Sequence, residues 1–418
     1  HAAVNGRGQF FSASDPASLI NSLRAALQSI NAITGAASAA ATSTLQPVQG
    51  NNDIFVDNFT TSDWYWEVLY YKIDQATSKN ATSVVDPATN KRVSLATWSA
   101  REVLDATNPS ARTIYYPKSG VLSYFNYTDL TSSLKSNFDG FCSKAGLGGT
   151  TSPSQCITGN QTNKDLANSG ENMVNYLRGV TTYANDNVYR TRKSVMGDII
   201  NASPLYVGQP AFSYSENDYK TFKTTPRTAM IYAAANDGML HALDRSTGTE
   251  KWAYVPSFVM PNLYKLADTN YSSNHVYMVD GSPVSGDIYI NSAWKTILVG
   301  GLNSGGRGYY AIDITIPESP KLLWEFSEAD LGYTFGNPII TKMSNGTWVV
   351  MFSSGYNNVS PGDGNGYLYV LNANTGAQIL KLATNVGGSA VGSASTPSGL
   401  GKLNNYVESD SDNTTQVV

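Results

Sequence analysis

The chain has 418 residues, of which 41% are hydrophobic and only 14% charged, with 28 basic against 32 acidic side chains. Soluble domains usually carry about a quarter charged residues, so this surface is built from Ser, Thr, Asn, Gly and 26 Tyr, in the manner of an extracellular β-protein. A formal charge of −4 removes the electrostatic basis for nucleic-acid binding, and no apolar run reaches the roughly 20 residues of a membrane-spanning helix.

Asn5 to Phe11 reads as a glycine-punctuated strand. Asp15 can then cap a helix with Pro16 at its first position, and Leu19, Leu23, Leu27 and Ile30 share one face. A lone strand and helix enclose no core, so residues 1–35 read as the end of an α/β domain. The Ala/Ser/Thr-rich segment 36–50 reads as a mobile linker. From residue 51 the pattern becomes strand-like, with alternation from Trp64 to Ile73, and Trp98 to Leu104 reads as a short helix or an irregular turn. Residues 137–172 read as a polar loop insertion that ends near a short helix over Met173 to Arg178. The insertion holds Cys142 and Cys156, the only cysteines. Their spacing suits a disulfide closing a surface loop, worth about 3 kcal/mol, with two free buried thiols as the alternative.

Residues 195–418 carry an internal repeat. Gly238-Met-Leu-His-Ala-Leu-Asp-Arg-Ser-Thr-Gly248 aligns without a gap on Gly366-Tyr-Leu-Tyr-Val-Leu-Asn-Ala-Asn-Thr-Gly376. Gly308 to Asp313 is a third copy, in which Ile316-Pro317-Glu318-Ser319-Pro320 replaces the turn. Asp244, Asp313 and Asn372 are therefore equivalent, and each precedes an apolar anchor, Trp252, Trp324 or Ile379. Ser203-Pro204, Ser282-Pro283, Asn337-Pro338 and Thr396-Pro397 recur in the same rhythm, and proline is tolerated at a strand's start but not at its centre. The unit is four strands, a propeller blade. Three blades are then complete and a fourth opens near Pro397, with residues 51–130 expected to supply further blade strands.

Catalytic motifs are scarce. His241 occupies a repeat strand where its counterpart is Tyr369, which favours packing over chemistry, and His275 lies in a polar loop with no partner at motif spacing. Gly301 to Gly308 joins strands and lacks the following helix that holds a phosphate. Metal ligation is the best chemical candidate: Glu408, Asp410, Asp412, Thr414 and Gln416 place oxygens at alternating positions, as calcium loops do, and Thr414 can add its backbone carbonyl. An acidic solvated loop is the alternative. Pro361 to Gly366 is a weaker candidate and reads as a blade loop.

His1-Ala-Ala-Val-Asn-Gly-Arg-Gly8, Tyr189-Arg-Thr-Arg192 leading into Met196 to Gly208, Ala235 to Asp244, and Val255-Pro256-Ser257 resemble the PilC/PilY proteins. The resemblance implies an all-β fold, a modified β-propeller of four-stranded PQQ-like blades over 51–418. Residues 1–35 would be the last strand and helix of a preceding von Willebrand A-like domain. It implies a non-catalytic factor for type IV pilus biogenesis and tip adhesion, active in twitching motility, whose partners are minor pilins or a tip complex and a host surface. Its place would be extracellular, at the pilus tip or outer-membrane surface of a Gram-negative bacterium. Matched by position, the family's calcium ligands would be Glu408, Asp410, Asp412 and Gln416, with Glu and Gln in place of two Asp. The family's next strand would begin past Val418, so the natural chain is expected to continue there. The other readings are a quinone-dependent dehydrogenase, against which stands the lack of adjacent cysteines, and an outer-membrane assembly scaffold.

Overall fold

In this computed structural model the chain is described over residues 34–42, 53–60, 65–74, 79–80, 83–86, 91–94, 96–216, 218–409 and 411–417. The strand and helix expected over residues 5–30 lie outside them. Four sheets of four or more strands follow one another along the chain, each a blade. The first joins Thr34–Thr42, Asp53–Thr60 and Tyr65–Asp74, and Trp98–Ser99 closes it, with Tyr70 opposite Trp98. Residues 36–42 of the segment read as a linker are therefore strand. Thr34 to Thr42 is in register with Thr60 to Ile54 across a bulge.

The second blade holds Leu205–Val207, Met230–Ala235, Met239–Asp244 and Glu250–Tyr254. The third holds Val284–Ile290, Ala293–Gly301, Tyr309–Asp313 and Lys321–Phe326. The fourth holds Ile339–Lys342, Trp348–Ser353, Tyr367–Asn372 and Gln378–Ala383. Each of these begins just after its Ser-Pro or Asn-Pro pair, as proline's missing N–H requires. The middle strands lie between neighbouring sheets, so Met230–Ala235, Met239–Asp244 and Trp348–Ser353 are buried at every position.

Two departures from the expected order matter. Ile114–Lys118 and Val121–Tyr124 form no blade of their own. Ile114 pairs in parallel with Ala253, and the hairpin extends the second blade to six strands. Beyond Pro397 no first strand forms among the described residues. Instead Tyr406–Val407 pairs with Thr415–Val417 in a small hairpin.

The 137–172 insertion is largely helical rather than an extended loop. Ser154–Thr158, Gln161–Asn168 and Gly170–Arg178 are helices, the last two capped by Asn160 and Ser169 side chains. Cys142 and Cys156 are joined by a disulfide across a Cα separation of 5.4 Å. Beneath it, Met173, Val174, Tyr176 and Leu177 join one core with the second blade.

Candidate functional site

The repeat chemistry fixes how blades meet. After each third strand the Asx side chain folds the chain back: Asp244 Oδ1 accepts from Ser246 N at 2.8 Å, Asp313 Oδ1 from Thr315 N at 3.0 Å, and Asn372 Oδ1 from Asn374 N at 3.0 Å. A tryptophan from the preceding blade then lies on that turn. Trp98 Nε1 donates to Arg245 O at 3.0 Å, Trp252 Nε1 to Pro317 O at 2.7 Å, and Trp324 Nε1 to Ala373 O at 3.0 Å. The first and third of these rings sit directly over Gly248 and Gly376, both at positive φ, where a Cβ would come within 2.7 and 2.6 Å of the indole. The third copy lost its Thr-Gly turn, and the Pro317 carbonyl serves instead. Trp98 was invisible as an anchor in the sequence because its strand is only two residues long.

The same repeats bring their first-strand starts together around a polar depression of about 510 Å³. Asn201 donates through N and Nδ2 to the Asp280 carboxylate, at 3.1 and 2.6 Å, and Ser203 N donates to Ser282 Oγ at 2.8 Å. Burial pushes the Asp280 carboxyl up to about 6, against the pull of the Asn201 donors. Asn303, Phe335, Asn337 and Lys402 complete the lining.

The loop from Glu408 to Gln416 is held against the first strand of the fourth blade. Lys342 N and Thr341 Oγ1 donate to Asn413 O at 3.0 and 2.8 Å, and Thr341 Oγ1 meets Thr415 Oγ1 at 2.6 Å. Ser215 N donates to Ser411 O at 2.9 Å from a second-blade excursion. Of the expected ligands, Asp410 lies outside the described residues, and so does the side chain of Gln416. Glu408 is exposed, Asp412 Oδ1 accepts from Thr414 N at 2.9 Å, and Thr414 forms an isolated parallel bridge with Lys342. The oxygens of Glu408, Asp412 and Thr414 are of the kind a hard cation takes. No three acidic, His or Cys side chains converge for a metal among the described residues.

Both described histidines are held by carboxylates, as the packing role read for His241 allows and the sequence around His275 does not announce. His241 Nδ1 faces Glu250 Oε1 at 2.8 Å and its Nε2 faces Asp237 Oδ2 at 3.1 Å. Burial alone would push His241 down, but Asp237 and Glu250 outweigh it and hold it up at about 9. Glu250 also takes Arg112 through Nε and Nη2 at 2.7 and 2.9 Å, a bidentate pair that ties the 114–124 hairpin's approach to the second blade. His275 Nε2 meets both Asp198 oxygens at 2.9 Å, across 77 residues, a pairing that no local motif could announce. The weaker calcium candidate is also spent on structure. Asp363 accepts from Asn365 N at 2.9 Å and Tyr367 OH at 2.5 Å, and its own N–H donates to Asp330. The Lys381 ammonium, 2.6 Å from Asp330 and 2.8 Å from Glu328, already supplies the positive charge nearby.

Comparison with known proteins matches residues 196–417 to the family model described as the PilY1 beta-propeller domain. The type IV pilus biogenesis factor PilY1 of Pseudomonas aeruginosa strain UCBPP-PA14 is 34% identical over 379 residues, covering 85% of this chain and 30% of its own. A type IV pilus biogenesis factor PilY1 homolog of Xylella fastidiosa strain Temecula1 is 39% identical over 226 residues, 50% of this chain and 18% of its own. The crystal structure of the Pseudomonas aeruginosa PilY1 C-terminal domain is 33% identical, with a TM-score of 0.40, over 50% of this chain and 41% of that one. The chain thus spans 30% of the length of the first of these relatives.

Proposed function

Because the chain belongs to the PilY1 β-propeller family, we propose that it acts in type IV pilus biogenesis as a non-catalytic binding platform, carried at the pilus tip or outer-membrane surface of a Gram-negative bacterium. Its partners in this reading are minor pilins or a tip complex, and a host surface. The observation that carries it is the blade-to-blade docking of Trp98, Trp252 and Trp324, which makes a rigid stack whose loops are free to present ligand contacts. The buried histidines and carboxylates are committed to that stack: His241 is enclosed between two carboxylates and His275 is bound to Asp198.

The reading extends to calcium as a switch in the 408–416 loop. Glu408, Asp410 and Asp412 would repel one another without an ion and be pinned by it. The loop is already hydrogen-bonded to the first strand of the fourth blade, so its order would be felt there through Thr341 and Lys342. Immunogold labelling of piliated cells beside a pilin-deletion strain tests the placement. Gold at fibre ends that vanishes with the pilin is the expected result, and gold unchanged by the deletion would overturn it. For the loop, calcium should raise the melting temperature of the wild type and leave the Asp410→Asn/Asp412→Asn double variant unmoved. Equal rises in both would remove the switch while leaving the pilus role standing.

A further inference from the structure

We propose that the polar depression where the first strands of the second, third and fourth blades begin is a carbohydrate site with a preference for acidic sugars. Its volume, about 510 Å³, falls within the ~300–1,000 Å³ of small-molecule sites. The frame is held by bonds that cross between blades. Asn201 donates through N and Nδ2 to Asp280, Ser203 N is spent on Ser282, and Asn303 N donates to Thr334 Oγ1 at 3.1 Å while its Nδ2 donates to Asp280 O at 2.9 Å. Lys402 is carried by a loop that is also pinned, since Leu400 N donates to Gly355 O at 2.9 Å and Ser353 Oγ to Leu400 O at 3.0 Å. A site fixed this way orders little on binding, which favours affinity for a small ligand.

What the frame leaves unspent selects the ligand. Among the described residues, the Asn337 amide, the Ser203 hydroxyl and the Lys402 ammonium line the depression without a hydrogen bond or ion pair. The Asn303 side-chain carbonyl has no hydrogen-bond partner among them either. Amides and hydroxyls both give and accept hydrogen bonds, as sugar hydroxyls do, and the half-buried Phe335 ring offers an apolar patch for the C–H face of a pyranose. A metal ion is disfavoured because the nearest carboxylate, Asp280, is already held by two donors. The exposed Lys402 ammonium, which makes no ion pair among the described residues, offers one charge-assisted contact to a carboxylate on the ligand, whereas a phosphate would call for arginines in a planar fork.

This inference supplies a ligand class for the binding platform proposed above and depends on that reading only for its biological use. The test is saturation-transfer NMR on the full chain with glucuronate and with glucose as probes, followed by competition to rank them. Glucuronate should bind about tenfold more tightly than glucose, as one charge-assisted contact allows. Asn337→Leu should abolish both signals, and Lys402→Met should keep sugar binding but equalise the two probes. Unchanged circular dichroism and melting in both variants guard against misfolding. Absence of transfer to either sugar, unaltered binding in Asn337→Leu, or stronger competition by an acidic tetrapeptide than by glucuronate would each overturn the proposal. None of these results depends on where the protein sits on a pilus, so the immunogold result stands or falls separately.

Discussion

The junctions between blades and the outer strand of the fourth blade use the same repeat position in opposite ways. At the junctions that position is Trp98, Trp252 or Trp324, at most 8% exposed and hydrogen-bonded to the turn of the following blade. In the fourth blade it is Leu380 rather than the Ile379 expected from the sequence, because Leu380 pairs with Val370 as Trp252 does with Ala242 and Trp324 with Ala311. Leu380 is 43% exposed, beside Ile379 and Leu382 at 45 and 53%. A large indole with one donor fits where a glycine turn and a bare carbonyl receive it. Where no turn receives it among the described residues, an aliphatic side chain stands in the same register and seals nothing. Stability in this fold therefore resides between the blades more than within them.

The comparison breaks most visibly at Trp324. Trp324→Ala removes the ring from over Gly376 and leaves Ala373 O without its donor, in a site 5% exposed. A loss of about 3–5 kcal/mol is expected in urea unfolding, the range for large aromatic truncations in a core. A loss below about 1 kcal/mol would mean that the blades hold together by other contacts.

A second effect, nearly as large, is set by pH. With both ring nitrogens of His241 facing carboxylates, only the imidazolium satisfies them together. Its folded value of about 9 lies above the unfolded 6.5, so the folded state holds the extra proton between those limits. The stabilisation is complete below pH 6.5 and is lost as pH rises through 9, a change of about 3 kcal/mol. Urea midpoints measured from pH 6 to 10 should fall across that window in the wild type and stay flat in His241→Gln. If that variant does not fold, the ring-proton titration of His241 by NMR gives the same answer.

How much of this was legible in the sequence follows from distance along the chain. The Asx turns and the Pro-led strand starts are local devices, so their period could be read directly, and with it the blade. The parallel pairing of Ile114 with Ala253 and the His275–Asp198 contact join residues far apart, and nothing in either segment names the other. The Ala-rich strand at Thr34–Thr42 was hidden by composition, because small polar residues look like linker until a partner strand pairs with them. The acidic loop was legible as a pattern of oxygens. Its hydrogen bonds to Thr341 and Lys342 were not, because they depend on where the fourth blade lies.

A smaller effect separates contact from backbone strain at the junction. Gly376 and Gly346 both have positive φ, +69° and +84°, but a Cβ at Gly376 would press on Trp324 while one at Gly346 meets nothing within 4 Å. Gly346→Ala should cost about 1 kcal/mol, the backbone penalty alone. Gly376→Ala should cost that plus about 1–2 kcal/mol for displacing the indole. Equal losses would show that the ring moves aside freely, and the docking described here would then be loose.

The smallest change is expected at Leu380, the fourth-blade residue in the register of Trp324. With 43% of the side chain exposed, Leu380→Ser gives up far less buried area than Trp324→Ala, so the urea midpoint should move by no more than about 0.5 kcal/mol. The contrast with Trp324→Ala then rests on one repeat position measured twice, in the presence and absence of a covering turn. A loss of about 2 kcal/mol at Leu380 would mean that this strand is covered in solution, since only burial gives an aliphatic side chain that weight. Repeating the measurement over a hundredfold range of protein concentration would then identify the cover. A concentration-dependent midpoint would assign it to a second copy of the chain, because association stabilises by mass action, and a constant one would assign it to the chain itself.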